Sequence, residues 1–350
     1  MTTKIRPSKG SPYARILGVG GYRPTQVVPN EEILKYIDSS DEWIRSRSGI
    51  ATRHWAGPEE TVSAMSVEAA GKAIAAAGIS PEQVGAVIVA TVSHFQQTPA
   101  IATEIAHRIG AGKPAAFDIS AGCAGFGYGL TLAKGLVVEG SAEYVVVIGV
   151  ERLSDLTDLE DRATAFLFGD GAGAVVVGPS QEPAIGPTVW GSEGDKSHTI
   201  KQTVGWDAYR RTPVPGGDAE LPATRTPLDE IRYPAITQEG QAVFRWAVFE
   251  MAKVAQQALD DAGVSPEDLD VFIPHQANMR IIDSMVKTLK LPESVTVARD
   301  VETTGNTSAA SIPLAMERLL ATGAAKSGDT ALVIGFGAGL VYAATVVTLP

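Results

Sequence analysis

Residues 69–89 read AAGKAIAAAGISPEQVGAVIV, and residues 254–274 read VAQQALDDAGVSPEDLDVFIP. Ala77-Gly78-Ile79-Ser80-Pro81-Glu82 and Ala262-Gly263-Val264-Ser265-Pro266-Glu267 stand at a constant offset of 185. Both stretches carry one physical pattern. An Ala-rich helix stops at a glycine, which takes the left-handed C-cap at little cost. Ser-Pro-Glu opens a short turn, and a β-branched run then makes a buried strand. A second pair agrees: Val145-Val146-Val147-Ile148-Gly149 and Ala331-Leu332-Val333-Ile334-Gly335 stand at an offset of 186. Nearly the same offset in such distant segments marks an internal duplication.

The chain is therefore read as two similar α/β halves. Residues 1–180 form the first, 240–350 the second, and 181–239 an irregular, Pro/Gly-rich stretch read as a cap over the site because it holds Trp190 and Trp206. Strands are expected near 15–20, 85–92, 115–119, 143–150, 172–178, 270–274, 331–336 and 341–348. Helices are expected near 30–37, 62–78, 99–109, 123–138, 240–262, 278–289 and 308–322. Apolar strands alternating with helical patterns give mixed or parallel sheets covered by helices.

At 350 residues, 45% apolar and 20% charged, the chain can bury a substantial core. Its 29 basic and 40 acidic residues leave −11, spread along the sequence. That balance disfavours nucleic acid and anionic membranes as partners. No apolar run reaches the ~18–20 residues of a membrane span. The N-terminal MTTKIRPSKGSPYARI lacks the apolar core of a signal peptide, so a cytoplasmic location is expected. One cysteine permits neither an intrachain disulfide nor a Cys-rich metal site.

That cysteine, Cys123, lies in Ser120-Ala121-Gly122-Cys123-Ala124-Gly125, where a strand gives way to a helix. A thiol at a helix start feels the positive end of the dipole, which favours thiolate. The bland alternative is an inert buried thiol. His275 follows the strand Val271-Phe272-Ile273-Pro274, at the strand end where open α/β sheets bind ligands. His54, His94, His107 and His198 have no comparable setting. Asn306, in Gly305-Asn306-Thr307-Ser308, sits at a second turn before a helix. Its separation from Cys123 is close to the repeat offset, so the duplication places the two at matching turns; an ordinary N-cap is its alternative. Gly335-Phe336-Gly337-Ala338-Gly339 is a strip whose backbone N–H groups can approach a reacting oxygen. Phe168-Gly169-Asp170-Gly171-Ala172-Gly173 is read as a turn into a strand, since the dinucleotide spacing is not met.

With Gly-Cys-Ala-Gly, Pro-His-Gln-Ala-Asn, Gly-Asn-Thr-Ser and Gly-Phe-Gly-Ala-Gly in this order, and with Asp41-Glu42-Trp43-Ile44 and Arg47-Ser48-Gly49-Ile50 near the start, the sequence resembles the β-ketoacyl-acyl-carrier-protein synthases III from about residue 13 onward. These are the initiating condensing enzymes of type II fatty acid synthesis. The resemblance implies a thiolase-like, duplicated α-β-α-β-α five-layer fold and a homodimer. It implies Cys123 as acyl acceptor, His275 and Asn306 as the pair that stabilises the malonyl-derived carbanion, and the N–H groups of Cys123 and Ala338 as the oxyanion site. It implies coenzyme A contacts at Trp43, Arg47, Arg162, Gly240 and Phe244, with Trp43 and Arg162 sandwiching the adenine. Arg280 and Lys287 would dock the carrier protein, and Thr98 would floor the acyl pocket where acetyl-restricted members carry a bulky aromatic. Ala338 stands where the family's strip has glycine. The substrates implied are acyl-CoA, short and linear or branched, and malonyl-acyl-carrier protein; no metal or prosthetic cofactor is implied, coenzyme A being substrate and product.

Residue logic sets relatives aside. A thiolase needs a second cysteine, elongating enzymes pair cysteine with two histidines, and a hydroxymethylglutaryl-CoA synthase needs an acid where Thr91-Val92-Ser93 offers none. A polyketide starter-unit ketosynthase shares Cys, His and Asn and stays open, as does a non-catalytic carrier-protein partner on the same fold.

Overall fold

The computed structural model describes residues 5–205 and 233–350. Trp206 and the Pro/Gly-rich run 206–232 lie outside the described residues. In chain order, β1 (Tyr13–Tyr22) leads into a ribbon of β2 (Gln26–Pro29) and β3 (Thr52–Trp55), with α1 (Asn30–Ile33) and α2 (Asp41–Ser48) between its strands. Then come α3 (Val62–Ala77), β4 (Val84–Ala90), α4 (Ile101–Arg108), β5 (Ala115–Ile119), α5 (Gly125–Glu139), β6 (Tyr144–Arg152) and β7 (Asp170–Ser180). The remainder runs β8 (Val189–Ser192), β9 (Ile200–Gln202), β10 (Ile236–Gln238), α6 (Gly240–Ala262), β11 (Val271–Pro274), α7 (Met279–Leu289), β12 (Thr296–Val297), α8 (Val301–Thr304), α9 (Ser311–Thr322), β13 (Thr330–Gly337) and β14 (Val341–Thr348).

The two large sheets have the orders β1-β7-β6-β4-β5 and β8-β14-β13-β11-β12. In each, one side of the sheet is parallel (β6, β4 and β5; β13, β11 and β12) and the other antiparallel (β1, β7 and β6; β8, β14 and β13). Helices α5 and α9 lie between the sheets, α3 and α4 cover the first, and α6 and α7 cover the second. That is a five-layer α-β-α-β-α sandwich.

The buried strands are apolar on both faces, and their period of two sorts side chains between layers. Val145 and Val147 of β6 enter the central core with Phe126 and Leu130 of α5, whereas Val146, Ile148 and Val150 pack under α3. In β13, Ala331 and Val333 face the centre and Leu332, Ile334 and Phe336 the α6 side. Fully burying each large side chain of this kind contributes about 1.5–3 kcal/mol.

One boundary differs from the sequence reading. Val189–Ser192, inside the stretch assigned to the cap, is β8, the edge strand of the second sheet, paired with β14. The second half therefore opens near residue 189 rather than 240. The register gives the reason. Gly149 pairs with Gly173 and that with Gly21, while Gly335 pairs with Ala343 and that with Trp190. The offset between the halves is therefore smaller for β1 with β8 and for β7 with β14 than for β6 with β13, and a four-residue strand in Pro/Gly-rich sequence shows no alternation. Trp190 sits on this edge, 46% exposed and edge-on to Tyr128 at 5.1 Å. It lines neither cavity of the site, so it is not what covers it. The expected helix 30–37 is also shorter, ending at Ile33.

Candidate active site

Cys123 sits in a single 3-10 turn, Gly122–Ala124, that feeds directly into α5. The turn needs Gly122 at φ +47°, a conformation costly for any residue with a Cβ. On its other side lies Gly337, the last residue of β13. A Cβ there would stand 2.8 Å from the Cys123 sulfur and 3.1 Å from its nitrogen, so only glycine leaves the thiol its space. Ala338 follows; its nitrogen would lie 3.2 Å from a Cβ at Gly122, which puts the strip's amide against the cysteine turn. Ala338 is not among the residues with positive φ, so its methyl group is compatible with the backbone.

His275 follows β11, its N–H donating to the Ile334 carbonyl at 2.7 Å. The ring is buried and edge-on to Phe336 at 5.5 Å. Its Nδ1 lies 2.7 Å from Ser311 Oγ, and the Gln276 N–H donates to that same oxygen at 3.4 Å. The serine proton is then free for Nδ1, which leaves the imidazole proton on Nε2. Burial pushes the His275 pKa down to about 3, so the ring is neutral. Asn306 is held by backbone bonds to Leu167 and Gly169, and its Oδ1 accepts the Ser308 N–H at 2.8 Å. With Nδ1 and Oδ1 both engaged, each side chain has a donor left, Nε2–H and the amide NH2.

Cys123, His275 and Asn306 line one cavity of about 500 Å³, together with Phe336 and Ala338. Ile200, Lys201, Gln202, Ile236 and Gln238 complete one wall, so part of the 181–239 stretch does border the site. A second cavity of about 650 Å³ shares Gln238, Val243, Ala277, Ile281 and Asn306 with the first. The pair thus forms an outer chamber leading inward past Asn306.

Trp43, Arg47, Gly240, Phe244 and Arg280 line the outer chamber. Helix α2 presents Trp43 and Arg47 one turn apart. Ser40 caps it by accepting the Trp43 N–H at 3.1 Å, and Gly49 ends it at φ +80°. The Arg162 guanidinium lies 5.0 Å over the Trp43 ring, a spacing that holds no third flat group, so sandwiching a base there requires Arg162 to swing out. Arg280, expected at carrier docking, is exposed and stands over the Phe244 ring at 5.0 Å in the chamber wall. Lys287 is exposed on the same helix, away from both cavities. Thr98 is exposed and lines neither cavity of its own chain, although Gln96 and Gln97 do line the inner one.

Two electrostatic features are absent from the sequence reading. Burial pushes the Cys123 thiol up to about 12, against the expected lowering, and outweighs the Ser308 hydroxyl, which acts the other way. And a buried carboxylate, Glu151 at the end of β6, accepts from Ser93 Oγ at 2.6 Å, the Val92 N–H at 3.1 Å and Thr91 Oγ1 at 3.2 Å. Thr91-Val92-Ser93 supplies no acid itself but holds one. The available signal is the repeat itself, which carries Glu151 onto Gly337, the residue beside the cysteine. Asp170, by contrast, ties Ala56 and Ser154 to the start of β7, as a turn residue would.

The model of 3-oxoacyl-acyl-carrier-protein synthase III matches residues 117–194, and that of its C-terminal part residues 259–349. Beta-ketoacyl-acyl-carrier-protein synthase III 1 of Streptomyces coelicolor is 83% identical over 348 residues, 99% of this chain and 100% of that one. The chain belongs to the β-ketoacyl-acyl-carrier-protein synthase III family. Among solved structures of similar proteins, the priming β-ketosynthase of the R1128 polyketide biosynthetic pathway matches with a TM-score of 0.92 at 43% identity, over 100% of this chain and 99% of that one. The 3-oxoacyl-acyl-carrier-protein synthase III of Aquifex aeolicus VF5 matches at 0.83 and 36%, over 96% and 99%. The fold is the thiolase-like fold of this synthase III family, whose members are condensing acyltransferases.

Proposed function

We propose that the protein condenses a short acyl-CoA with malonyl-acyl-carrier protein, releasing CO2 and coenzyme A and giving a 3-oxoacyl-carrier protein. The observation that carries this reading is the donor pair. His275 and Asn306 have their acceptor atoms tied to Ser311 and to the Ser308 N–H, and they line the same cavity as the one nucleophilic thiol. Two neutral donors suit an enolate oxygen, because they bind developing charge without giving up a proton that would quench the carbanion.

In the first half-reaction Cys123 attacks the acyl-CoA thioester, and the N–H groups of Cys123 and Ala338 bind the tetrahedral oxyanion. Coenzyme A lies in the outer chamber along Trp43, Arg47, Gly240 and Phe244, with Arg162 turned outward to close over the base. In the second, the malonyl thioester oxygen takes the Nε2–H and NH2 donors. CO2 leaves, and the carbanion attacks the acyl-Cys123 carbonyl. Arg280 at the chamber mouth and exposed Lys287 meet the acidic carrier protein. Thr98, exposed on its own chain, reaches into the acyl pocket of a second copy in a homodimer.

The test is steady-state condensation of acetyl-, isobutyryl- and longer acyl-CoA with malonyl-carrier protein. Product from malonyl-carrier protein supports the reading. Turnover only with malonyl-CoA, or none at all, favours a polyketide starter enzyme or a scaffold.

A further inference from the structure

Arg53 of β3 is the bulkiest fully buried side chain among the described residues. A buried cation is weak evidence for stability, because taking its charge out of water rivals what its partners return. What a guanidinium offers instead is a rigid, planar fork that holds several oxygens in one arrangement. Burial lowers Arg53 to about 10, against the carboxylates of Asp41 and Glu31, so it stays a cation at neutral pH.

The fork joins two parts of the site. Nη1 donates to the Val28 carbonyl at 3.2 Å, and Nη2 donates to Asn30 Oδ1 at 2.6 Å and to the Phe166 carbonyl at 2.9 Å. On one side, Asn30 Nδ2 donates to Asp41 Oδ1 at 2.7 Å and to the Ile50 carbonyl at 2.9 Å, which brackets α2, the helix of Trp43 and Arg47. On the other side, the Phe166 ring stands edge-on to Trp43 at 5.6 Å. The next carbonyl, that of Leu167, accepts the Asn306 N–H at 2.8 Å, and the Asn306 carbonyl accepts the Gly169 N–H at 3.0 Å. The stem of Arg53 lies against this same bridge: a Cβ at Gly305 would stand 3.0 Å from its Cβ, and one at Gly169 3.3 Å. Beside it, the Ala51 N–H donates to the Glu302 carbonyl at 2.8 Å and Thr52 Oγ1 to the Thr303 carbonyl at 2.9 Å, holding the chain that leads into Asn306.

We propose that Arg53 is a positioning residue for the decarboxylating half-reaction, fixing from inside the protein the segment Phe166–Gly169 on which Asn306 is registered. This rests on the reading of Asn306 as a donor to the malonyl thioester. The same fork ties that segment to α2, so the wall of the outer chamber and the catalytic amide share one anchor. Cys123 and Ala338 are set by the turn before α5 and by the end of β13, so acyl transfer to the thiol does not depend on Arg53. Losing the fork therefore affects the two half-reactions unequally.

The experiment follows the full-length protein by intact mass in two steps. Cys123 is first acetylated by S-acetyl-N-acetylcysteamine, a thioester without the nucleotide, and the acetyl-enzyme is then mixed with saturating malonyl-carrier protein. Arg53→Met keeps an unbranched stem and loses every donor. It should acetylate within about twofold of wild type and lose the acetyl group to malonyl-carrier protein about ten- to a hundredfold more slowly, the cost of misplacing a reacting group by ~1 Å. With acetyl-CoA as donor its KM should rise several-fold, since α2 shares the anchor. Arg53→Lys keeps the charge without the fork and should show the same split, smaller. A merely structural role would lower both steps together, in proportion to the folded fraction read by circular dichroism, and that result overturns the proposal. So does an unchanged second step in folded Arg53→Met. Should Arg53→Met not fold, Arg53→Lys decides by the same split. Asn306→Ala runs alongside: a wild-type second step there would overturn the reading of Asn306, and the proposal with it.

Discussion

Cys123, His275 and Asn306 stand out in the sequence because each sits between small residues where a strand gives way to a helix, and the duplication pairs two of those turns. Their protonation does not stand out. The thiol at about 12 and the imidazole at about 3 are set by walls drawn from β13, the Ser308 turn and α9, which no local window contains. Glu151 is illegible for a related reason: in Val147-Ile148-Gly149-Val150-Glu151-Arg152 it reads as the charged end of a strand, and only the fold carries it inside. Gly337→Ala puts a methyl carbon 2.8 Å from the Cys123 sulfur. It should cut acyl-enzyme formation by at least about tenfold, the low end of the cost of misplacing a reacting group, with circular dichroism unchanged; undiminished acylation would remove the close-approach account of that glycine. Glu151 also predicts a pH signature in stability. Its folded pKa of about 7 exceeds its ordinary value of 4.5, so the native state holds the extra proton between these pH values and loses stability as pH rises through them. Glu151→Gln copies the protonated form and should escape that loss. Its unfolding free energy relative to wild type should improve by up to ~3 kcal/mol from pH 4.5 to 8, read from urea titrations; a difference independent of pH would contradict it.

Elements with strong periodicity are legible to within a few residues: α3, α5, α6 and α9 on their apolar faces, and β6 and β13 as runs buried on both sides. The failures are short elements fixed by tertiary pairing. β8 exists because the edge of β14 accepts it, and β9 and β10 pair although the whole of 203–235 lies between them in the chain. Helix α2 is short as well, yet its caps are local. Ser40→Ala removes the hydroxyl that accepts the Trp43 N–H, a cap worth about 1 kcal/mol. Fraying that first turn loosens Trp43 in the outer chamber, so KM for acyl-CoA should rise several-fold with kcat nearly unchanged. A fall in kcat without a change in KM would move α2 out of coenzyme A binding.

On the scale of the whole molecule, two sheets of one topology enclose α5 and α9, and this layered plan brings the end of β13 against the cysteine turn. The duplication is visible in the sequence, but the start of the second copy is not, since its first strand is displaced from the common offset. Starter choice belongs to this scale too, because Thr98 is exposed on its own chain and its proposed role needs a second copy. Thr98→Phe should keep acetyl-CoA turnover and lower kcat/KM for isobutyryl-CoA by at least about tenfold, the usual cost of rejecting a methylene-sized group. An unmoved ratio of the two starters would take Thr98 out of the pocket. The central claim is the division of labour in one cavity, and intact-protein mass spectrometry after mixing with acetyl-CoA tests it most directly. Wild type, His275→Ala and Asn306→Ala should each gain one acetyl group, Cys123→Ala none, and only wild type should then lose it to malonyl-carrier protein. An acetyl adduct that survives in Cys123→Ala, or that fails to form in a folded Asn306→Ala, would contradict that division.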